Sequence, residues 1–396
     1  MDFDIVIVGA GPAGLSFARS LAKCDLRVAL VESQDAACLA APHFDGREIA
    51  LTHRSVKLLR QLGVWDRLLP NAIHILRDAL VLDGDALPGM RLDHADANCE
   101  NLGFLVANHE IRRAAFAAIV DQDGLSPFWG RRVTGVEAGG NRMRVLLSDG
   151  QTLAARLLVA ADSRFSETRR ALGIPAHMHD FGKTMLVCQM EHDVAHRQVA
   201  WEWFGYGQTL AILPLIEYQS SVVVTLSHAE VQRLMAAPDD EFAAAMEARF
   251  QQRLGRMRLV STRHAYPLVG VYPRRFVAGR FALIGDAAVG MHPVTAHGFN
   301  LGLLGQDLLA QSILHAQAAR ADITDPRMLA RYERELWRAT RPLYLATYAI
   351  TRLYTDDRLP ARILRRAALS AVAGLRPLRR AMLQGLSQAG ESRVAI

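Results

Sequence analysis

The sequence predicts an α/β protein: a doubly wound sheet interrupted by an inserted, mixed β-sheet domain and followed by a C-terminal helical segment. Three observations predict it. The N-terminal stretch "DIVIVGAGPAGLSFARSLAK" runs from a β-branched strand through a glycine turn into a helix with apolar residues at helical spacing. Far downstream, "GRFALIGDAAVGMHPVTAHGFNLGLLGQDLLA" does the same: an apolar strand, Arg280 to Ile284, stops at Gly285-Asp286, and a helix re-emerges near Gly298. Between them, residues 177–270 are dominated by alternating runs such as "MLVCQME", "VAWEWF", "TLAILPL" and "SVVVTLS", the period of half-buried strands.

In order along the chain, "RVALVES" is a second strand ending at Glu32, and "REIALTHRSVKLLRQLGVWDRL" a loop and amphipathic helix. Residues 74–105 break into short segments with Gly, Pro and Asp turns, as an excursion into another domain does. "NHEIRRAAFAAIV" (108–120) is helical, and Arg131 to Asp162 reads as successive strands with turns at Gly139-Gly140 and Asp149-Gly150. One helix, around 238–254, interrupts the strands of 177–270, and everything after about 328 is helical. The expected division is a Rossmann-like domain from 1–73, 101–176 and 271–345, a substrate-binding β-sheet domain from 74–100 and 177–270, and a basic helical tail, 346–396.

At 396 residues, two or three domains are the prior. Apolar content of 51% and charged content of 22% are those of a folded globular chain. Only three of the 46 basic residues are lysines, which points to codon usage rather than to a nucleic-acid surface, and the excess is local. From Asp356 onward eight arginines face three acids, a net of +5 out of +6 for the whole chain. The four cysteines (Cys24, Cys38, Cys99, Cys188) have no CxxC spacing, which argues against a disulfide framework and a zinc site. An acidic N-terminus argues against a signal peptide, and no uncharged apolar run is long enough to span a membrane as a helix. A reducing cytoplasm is expected.

Gly9-Ala10-Gly11-Pro12-Ala13-Gly14 lies between a predicted strand and helix, with Glu32 eighteen residues after the last glycine. The first glycine makes the tight turn, the second lets a pyrophosphate approach the backbone, and the third lets helix pack on strand. Glu32 is placed for an adenosine ribose, and its charge repels a 2′-phosphate, leaving FAD or NAD. The downstream unit decides for FAD. A dehydrogenase has no use for a second strand–Asp–helix unit, whereas ribityl hydroxyls need an acceptor such as Asp286. A reduced flavin ring also needs a positive field, which the helix N-terminus at Gly298, Phe299 and Asn300 supplies.

"GRFALIGDAA…HPVTAHGFNLGL", with "REIALTHRSVKLLRQLGVWDRL", "LGFLVANHEIRRA", "ARLLVAADSRFSETRRALGI" and "GLRPLRRAMLQGLSQAG", resembles the FAD-dependent aromatic hydroxylases of the p-hydroxybenzoate hydroxylase fold. Within them it is most similar to the ubiquinone-biosynthesis hydroxylases (the UbiH, UbiF and UbiM group), leaning to the UbiM type. The resemblance covers almost the whole chain. It implies that Arg47 and Asn108 contact FAD, that Val133 holds the adenine through its backbone, and that Asp162 links FAD to the nicotinamide donor. It also implies that His292-Pro293 lies beside the flavin ring. Three departures stand out: Asp162-Ser163 in place of Asp-Gly, Val289 in place of a histidine, and Ala296-His297-Gly298-Phe299-Asn300 in place of Gly-Gln-Gly-Leu-Asn.

The activity so implied is hydroxylation of an aromatic ring, most closely a polyprenylated phenol or quinol of ubiquinone biosynthesis, with NAD(P)H and O₂ as co-substrates and a flavin C4a-hydroperoxide as oxidant. Such chemistry needs a dry cavity and orientation, with no side-chain nucleophile and no metal. The rival readings are a soluble aromatic or polyketide hydroxylase, a flavin-dependent prenyl reductase, and a non-catalytic flavoprotein scaffolding a biosynthetic complex. The Trp201-Glu202-Trp203-Phe204 run is expected to line the substrate cavity, His177 and His179 to be surface residues of a linker, and Arg112 and Arg113 to form a solvated helix face. The tail pairs arginines with apolar residues at helical spacing, as helices lying on anionic lipid do, so peripheral contact with the inner face of the membrane is expected.

Overall fold

The computed structural model describes residues 1–355 except 23, 85, 206, 294 and 295; the predicted basic stretch from 356 lies outside the described residues. The first sheet is built on Asp2–Val8, which pairs in parallel with Val28–Val31 on one side and Thr152–Ala160 on the other. Phe281–Leu283 extends it beyond Thr152–Ala160, and Leu125–Phe128 beyond Val28–Val31, both in parallel. Ile5, Val6 and Ile7 are fully buried, as strands covered on both faces must be. Among the covering helices are Pro12–Ser20, Asn108–Ala117 and Gly298–Ala318, whose buried residues join the same core. Asp149-Gly150 forms the turn between the antiparallel strands Arg142–Leu147 and Thr152–Ala160.

A second sheet runs Met257–Leu259, Ala176–His192, Gln219–Leu226, Thr209–Pro214, Val199–Phe204, Asp78–Asp83, Ala86–Leu92, with His264–Pro273 also paired to Ala176–His192. It is mixed because Val199–Phe204 meets Asp78–Asp83 in parallel. One face, carrying Leu186, Cys188, Val222, Val224 and Trp203, packs on Phe242, Met246 and Phe250. The helix read around 238–254 is Asp239–Arg249, and a second helix, His228–Ala236, precedes it where the sequence suggested strands. The break is at Ala237, held extended (φ −67°, ψ 145°) because the following Pro238 crowds the helical conformation. His177 and His179 are exposed, yet they belong to the strand Ala176–His192 and not to a linker.

A third, three-stranded sheet joins Glu48–Leu51, Gly103–Ala107 and Ile73–Leu76. Ile73–Leu76 therefore pairs here, although residues from 74 were expected with the inserted sheet. The helix Pro326–Thr355 likewise runs unbroken across the boundary expected at 345. Glu48 ties this sheet to the second. Gln189 Nε2 donates to Glu48 Oε1 (3.1 Å), and Gln219 Nε2 donates to Gln189 Oε1 (3.2 Å). Glu48 Oε2 is buried without a partner.

Two measurements test this packing. Tyr332 is fully buried and its hydroxyl donates to Leu283 O (2.6 Å), pinning the helix Pro326–Thr355 to the first sheet. Tyr332→Phe should cost about 1–2 kcal/mol in urea unfolding, because the carbonyl loses its donor inside the core. Burial pushes the Glu48 carboxyl up to about 7, against the lowering by its Gln189 bond. A raised folded-state pKa means that the penalty is absent below the unfolded value and full above about 7. Glu48→Gln should therefore stabilise the protein at pH 8, by on the order of 1–3 kcal/mol, and change little at pH 5.

Candidate functional site: two strand ends side by side

The N-terminal turn has the form its glycines require. Gly9 has φ +103°, and a Cβ there would lie 2.5 Å from Ala161 O. A Cβ on Gly14 would lie 2.0 Å from Gly9 O, so this glycine sets the approach of helix to strand. A Cβ on Gly11 would meet nothing within 4 Å: this glycine faces open space, where a pyrophosphate can come against the backbone. Pro12 is the first helical residue, followed by Ala13, and no acidic residue lies in the first turn to compete for an anion. Glu32 is held at the next strand end by Ala10 N on Oε2 (2.7 Å) and by Gln34 N and Ser33 Oγ on Oε1 (both 2.9 Å).

The second strand–helix unit lies directly against the first. Gly285 has φ +61°, and a Cβ there would lie 2.7 Å from Ala13 Cβ. Asp286 follows in a short helical turn and stays partly exposed, its carboxylate paired with Arg164 Nη2 (2.9 Å). Arg47 is near enough to feel its charge. Arg47 is gripped by Asp45 (2.6 Å), which also accepts from Asn108 Nδ2 (2.7 Å). Burial raises the Asp45 carboxyl, but Arg47 and Asn108 more than offset it and hold it below the usual range. The Arg47 guanidinium lies over the Tyr266 ring (5.3 Å), whose hydroxyl donates to Asp45 O (2.7 Å).

Asn300, in the first turn of Gly298–Ala318, accepts from Thr52 N (3.1 Å) and donates to Ala50 O (2.8 Å) and Ala296 O (3.1 Å). Gly298 and Phe299 precede it, half-buried, at the open end of that helix. Asp162 Oδ2 accepts from Ser166 Oγ (2.9 Å) and Thr168 Oγ1 (3.1 Å), while Oδ1 is buried without a partner. Ser163 Oγ accepts from Phe165 N (3.2 Å). Val133 opens the strand Val133–Gly139 and is half-buried. His292 is half-buried edge-on against Phe181 (4.7 Å), with Pro293 exposed beside it. Burial, then Arg164, lowers His292 to about 4, so it is neutral at physiological pH and suits no acid–base role there. Val289 is buried, and its amide donates to Gly285 O (3.0 Å).

Gly9–Gly14, Asp162, Gly285 and Asp286 are thus gathered at one end of the first sheet, with Arg47 and Asn108 joined through Asp45. Val133 pairs with Leu147 on the neighbouring antiparallel strand. The side chains that sequence reasoning missed are Arg164, Arg169, Asp45 and Tyr266. Arg169 is 1% exposed and donates to Arg164 O (3.1 Å). Its contact with Ala287 O spans 118 residues, and no local pattern announces it. Open backbone at Gly11, a held ribose acceptor at Glu32 and an accessible carboxylate at Asp286 together fit FAD.

Comparisons with known proteins agree. A family profile described as an FAD binding domain matches residues 2–341. The chain is 44% identical over 390 residues to a ubiquinone hydroxylase, UbiM, of Neisseria meningitidis, covering 97% of this chain and 84% of that one. It is 36% identical to the ubiquinone hydroxylase UbiL of Rhodospirillum rubrum, over 96% of this chain and 88% of that one. The fold superposes on the crystal structure of p-nitrophenol 4-monooxygenase PnpA from Pseudomonas putida with a TM-score of 0.80 at 17% identity, covering 99% and 100% of the two chains. With its two strand ends shaped for FAD, the chain belongs to the FAD-dependent monooxygenases, in the family of ubiquinone-biosynthesis hydroxylases.

Proposed function

We propose that this flavoprotein hydroxylates the ring of a polyprenylated phenol or quinol in ubiquinone biosynthesis, using NAD(P)H and O₂. The observation that carries the substrate class is the 44% identity to a ubiquinone hydroxylase across 97% of this chain. Bound FAD supplies the redox chemistry and the reactive oxygen. The chain's own residues bind, orient and dry the site. Gly9, Gly11, Ala13 and Gly14 offer backbone to the pyrophosphate behind Pro12, and Glu32 takes the adenosine ribose. Val133 meets the adenine, while Arg47 and Asn108 border the cofactor. Gly285-Asp286 receives the ribityl chain. The helix end at Gly298, Phe299 and Asn300 faces the ring with His292-Pro293 beside it, and Asp162 with Ser163 borders the path of the nicotinamide. Turnover of a polyprenyl quinol to a product that gains one oxygen, with quinol-stimulated NAD(P)H oxidation, tests the activity. Oxidation of NAD(P)H without any such product points instead to a reductase or a scaffold.

Asp286→Ala should lose most of its flavin while keeping its circular dichroism and a cooperative melt. A variant that keeps full flavin occupancy and parental affinity removes Asp286 from the cofactor. Among the described residues no helix is long and apolar enough to cross a membrane. We propose that residues 356–396, where arginines interleave with apolar residues, contact the inner membrane face. Each basic group near an anionic surface contributes about 1 kcal/mol before screening. Changing Arg365, Arg366, Arg379 and Arg380 to Glu should release the protein from anionic liposomes and lower activity on a long-chain quinol, with flavin content unchanged. Equal sedimentation of parent and variant at low salt makes the tail structural.

A further inference from the structure

Glu202 lies on the strand Val199–Phe204 between Trp201 and Trp203, which both pack toward the two helices behind the second sheet. Side chains alternate along a strand, so Glu202 stands on the other face. The register sets Val81 beside it on one neighbouring strand and Ala211 on the other; Ala211 then pairs with Val223, and Val223 with Val187. Val187 is the side chain that a Cβ on Gly46 would strike, at 2.8 Å. The Val187 end of this row therefore covers the segment carrying Asp45, Arg47 and Glu48. Glu202 stands three strands from Val187, about 14 Å across the same face.

The residues directly opposite Glu202 on its two neighbouring strands, Val81 and Ala211, are aliphatic and cannot satisfy a carboxyl. Glu202 is half-buried and makes no hydrogen bond or ion pair with any other described residue, which leaves its carboxyl available to a ligand. Its surroundings hold no compensating charge. The neighbouring strands Thr209–Pro214 and Gln219–Leu226 carry no charged residue, and Asp83, the acid on Asp78–Asp83 paired with Phe204, is buried and already partnered. Asp45, Arg47 and Glu48, on the segment that Val187 covers, contribute nothing to the titration of Glu202. Burial alone pushes the carboxyl up to about 8, so Glu202 carries its proton at neutral pH.

We propose that Glu202 is a substrate-binding group: its neutral carboxyl donates a hydrogen bond to a ring oxygen of the aromatic substrate and so fixes which ring edge faces the flavin. A protonated carboxyl offers one O–H donor and one carbonyl acceptor, which matches a phenolic or methoxy oxygen beside a hydroxyl. Ala211, Val81 and Val223 give this face an apolar surface for the ring itself. No proton is transferred, and the group orients the substrate without acting as a base. The inference rests on the aromatic-hydroxylase reading given above.

The test is a titration of the flavin spectrum with a panel of phenols and short-chain quinols, between pH 6.5 and 9.5, in the parent holoenzyme, Glu202→Gln and Glu202→Leu. The carboxyl loses its donor as pH rises through about 8, so the parent's Kd should rise roughly tenfold between pH 7 and pH 9. Glu202→Gln keeps a neutral donor and should bind as the parent does at pH 7, with that rise abolished. Glu202→Leu should bind, at every pH, at least tenfold more weakly than the parent does at pH 7, with flavin content unchanged. Parental binding in Glu202→Leu, or a pH rise that persists in Glu202→Gln, overturns the proposal. Loss of flavin in both variants places Glu202 in folding and overturns it equally. Because the readout is binding, it remains decisive even where no polyprenyl quinol is turned over, a result that would count against the proposed function and leave Glu202 separately judged.

Discussion

At Gly285 the second strand–helix unit approaches the first so closely that a Cβ would lie 2.7 Å from Ala13 Cβ, and a Cβ on Gly302 would lie 3.3 Å from Gly285 Cα. A helix start, a strand end and a second helix therefore meet with only backbone between them. This contact gives the cofactor end its shape. It sets the open turn at Gly11 beside the carboxylate of Asp286, so that one extended dinucleotide can span both. The parallel sheet behind them, with Asp2–Val8 between Val28–Val31 and Thr152–Ala160, holds the three backbones in register.

Around that contact the charges are arranged in chains and not in isolated pairs. Asp45 holds Arg47 and Asn108, Arg47 lies over Tyr266 and within reach of Asp286, and Asp286 is joined to Arg164. Arg164 O accepts from the buried Arg169, whose charge is in turn favoured by Asp162. Each carboxylate thus has a fixed cation nearby, and Asp286 keeps enough exposure to serve a ligand. His292, beside Arg164, is held neutral by burial and by that cation, so the ring side of the site carries no titrating imidazole near neutrality.

What the sequence made legible is what depends on local conformation. Gly9 and Gly285 adopt positive φ values (+103° and +61°), and Asp286 directly follows a buried strand, so both strand ends could be read from a few consecutive letters. Partners distant in sequence could not. Arg164 meets Asp286 across 122 residues, and Gln189 meets Glu48 across 141. Ile73–Leu76 has the pattern of a strand, but nothing in it says which sheet it joins. The helix His228–Ala236 went unread, although Ser227 followed three residues later by Glu230 is the pattern of a capped helix start. The Trp201–Phe204 run reads as lining the substrate cavity, but that Trp201 and Trp203 face the helices and leave Glu202 on the other face emerges only from the packing of the sheet.

The strand Ala176–His192 is 17 residues long, about 55 Å if fully extended, and it touches both halves of the site. Near one end Phe181 stands against His292, and near the other Gln189 grips Glu48. The register of its pairing with His264–Pro273 slips between Asp180 and Thr184, next to Phe181. One continuous backbone therefore sets the spacing between the loop that carries His292 and the sheet that carries Glu48, much as a tie beam fixes the distance between two walls.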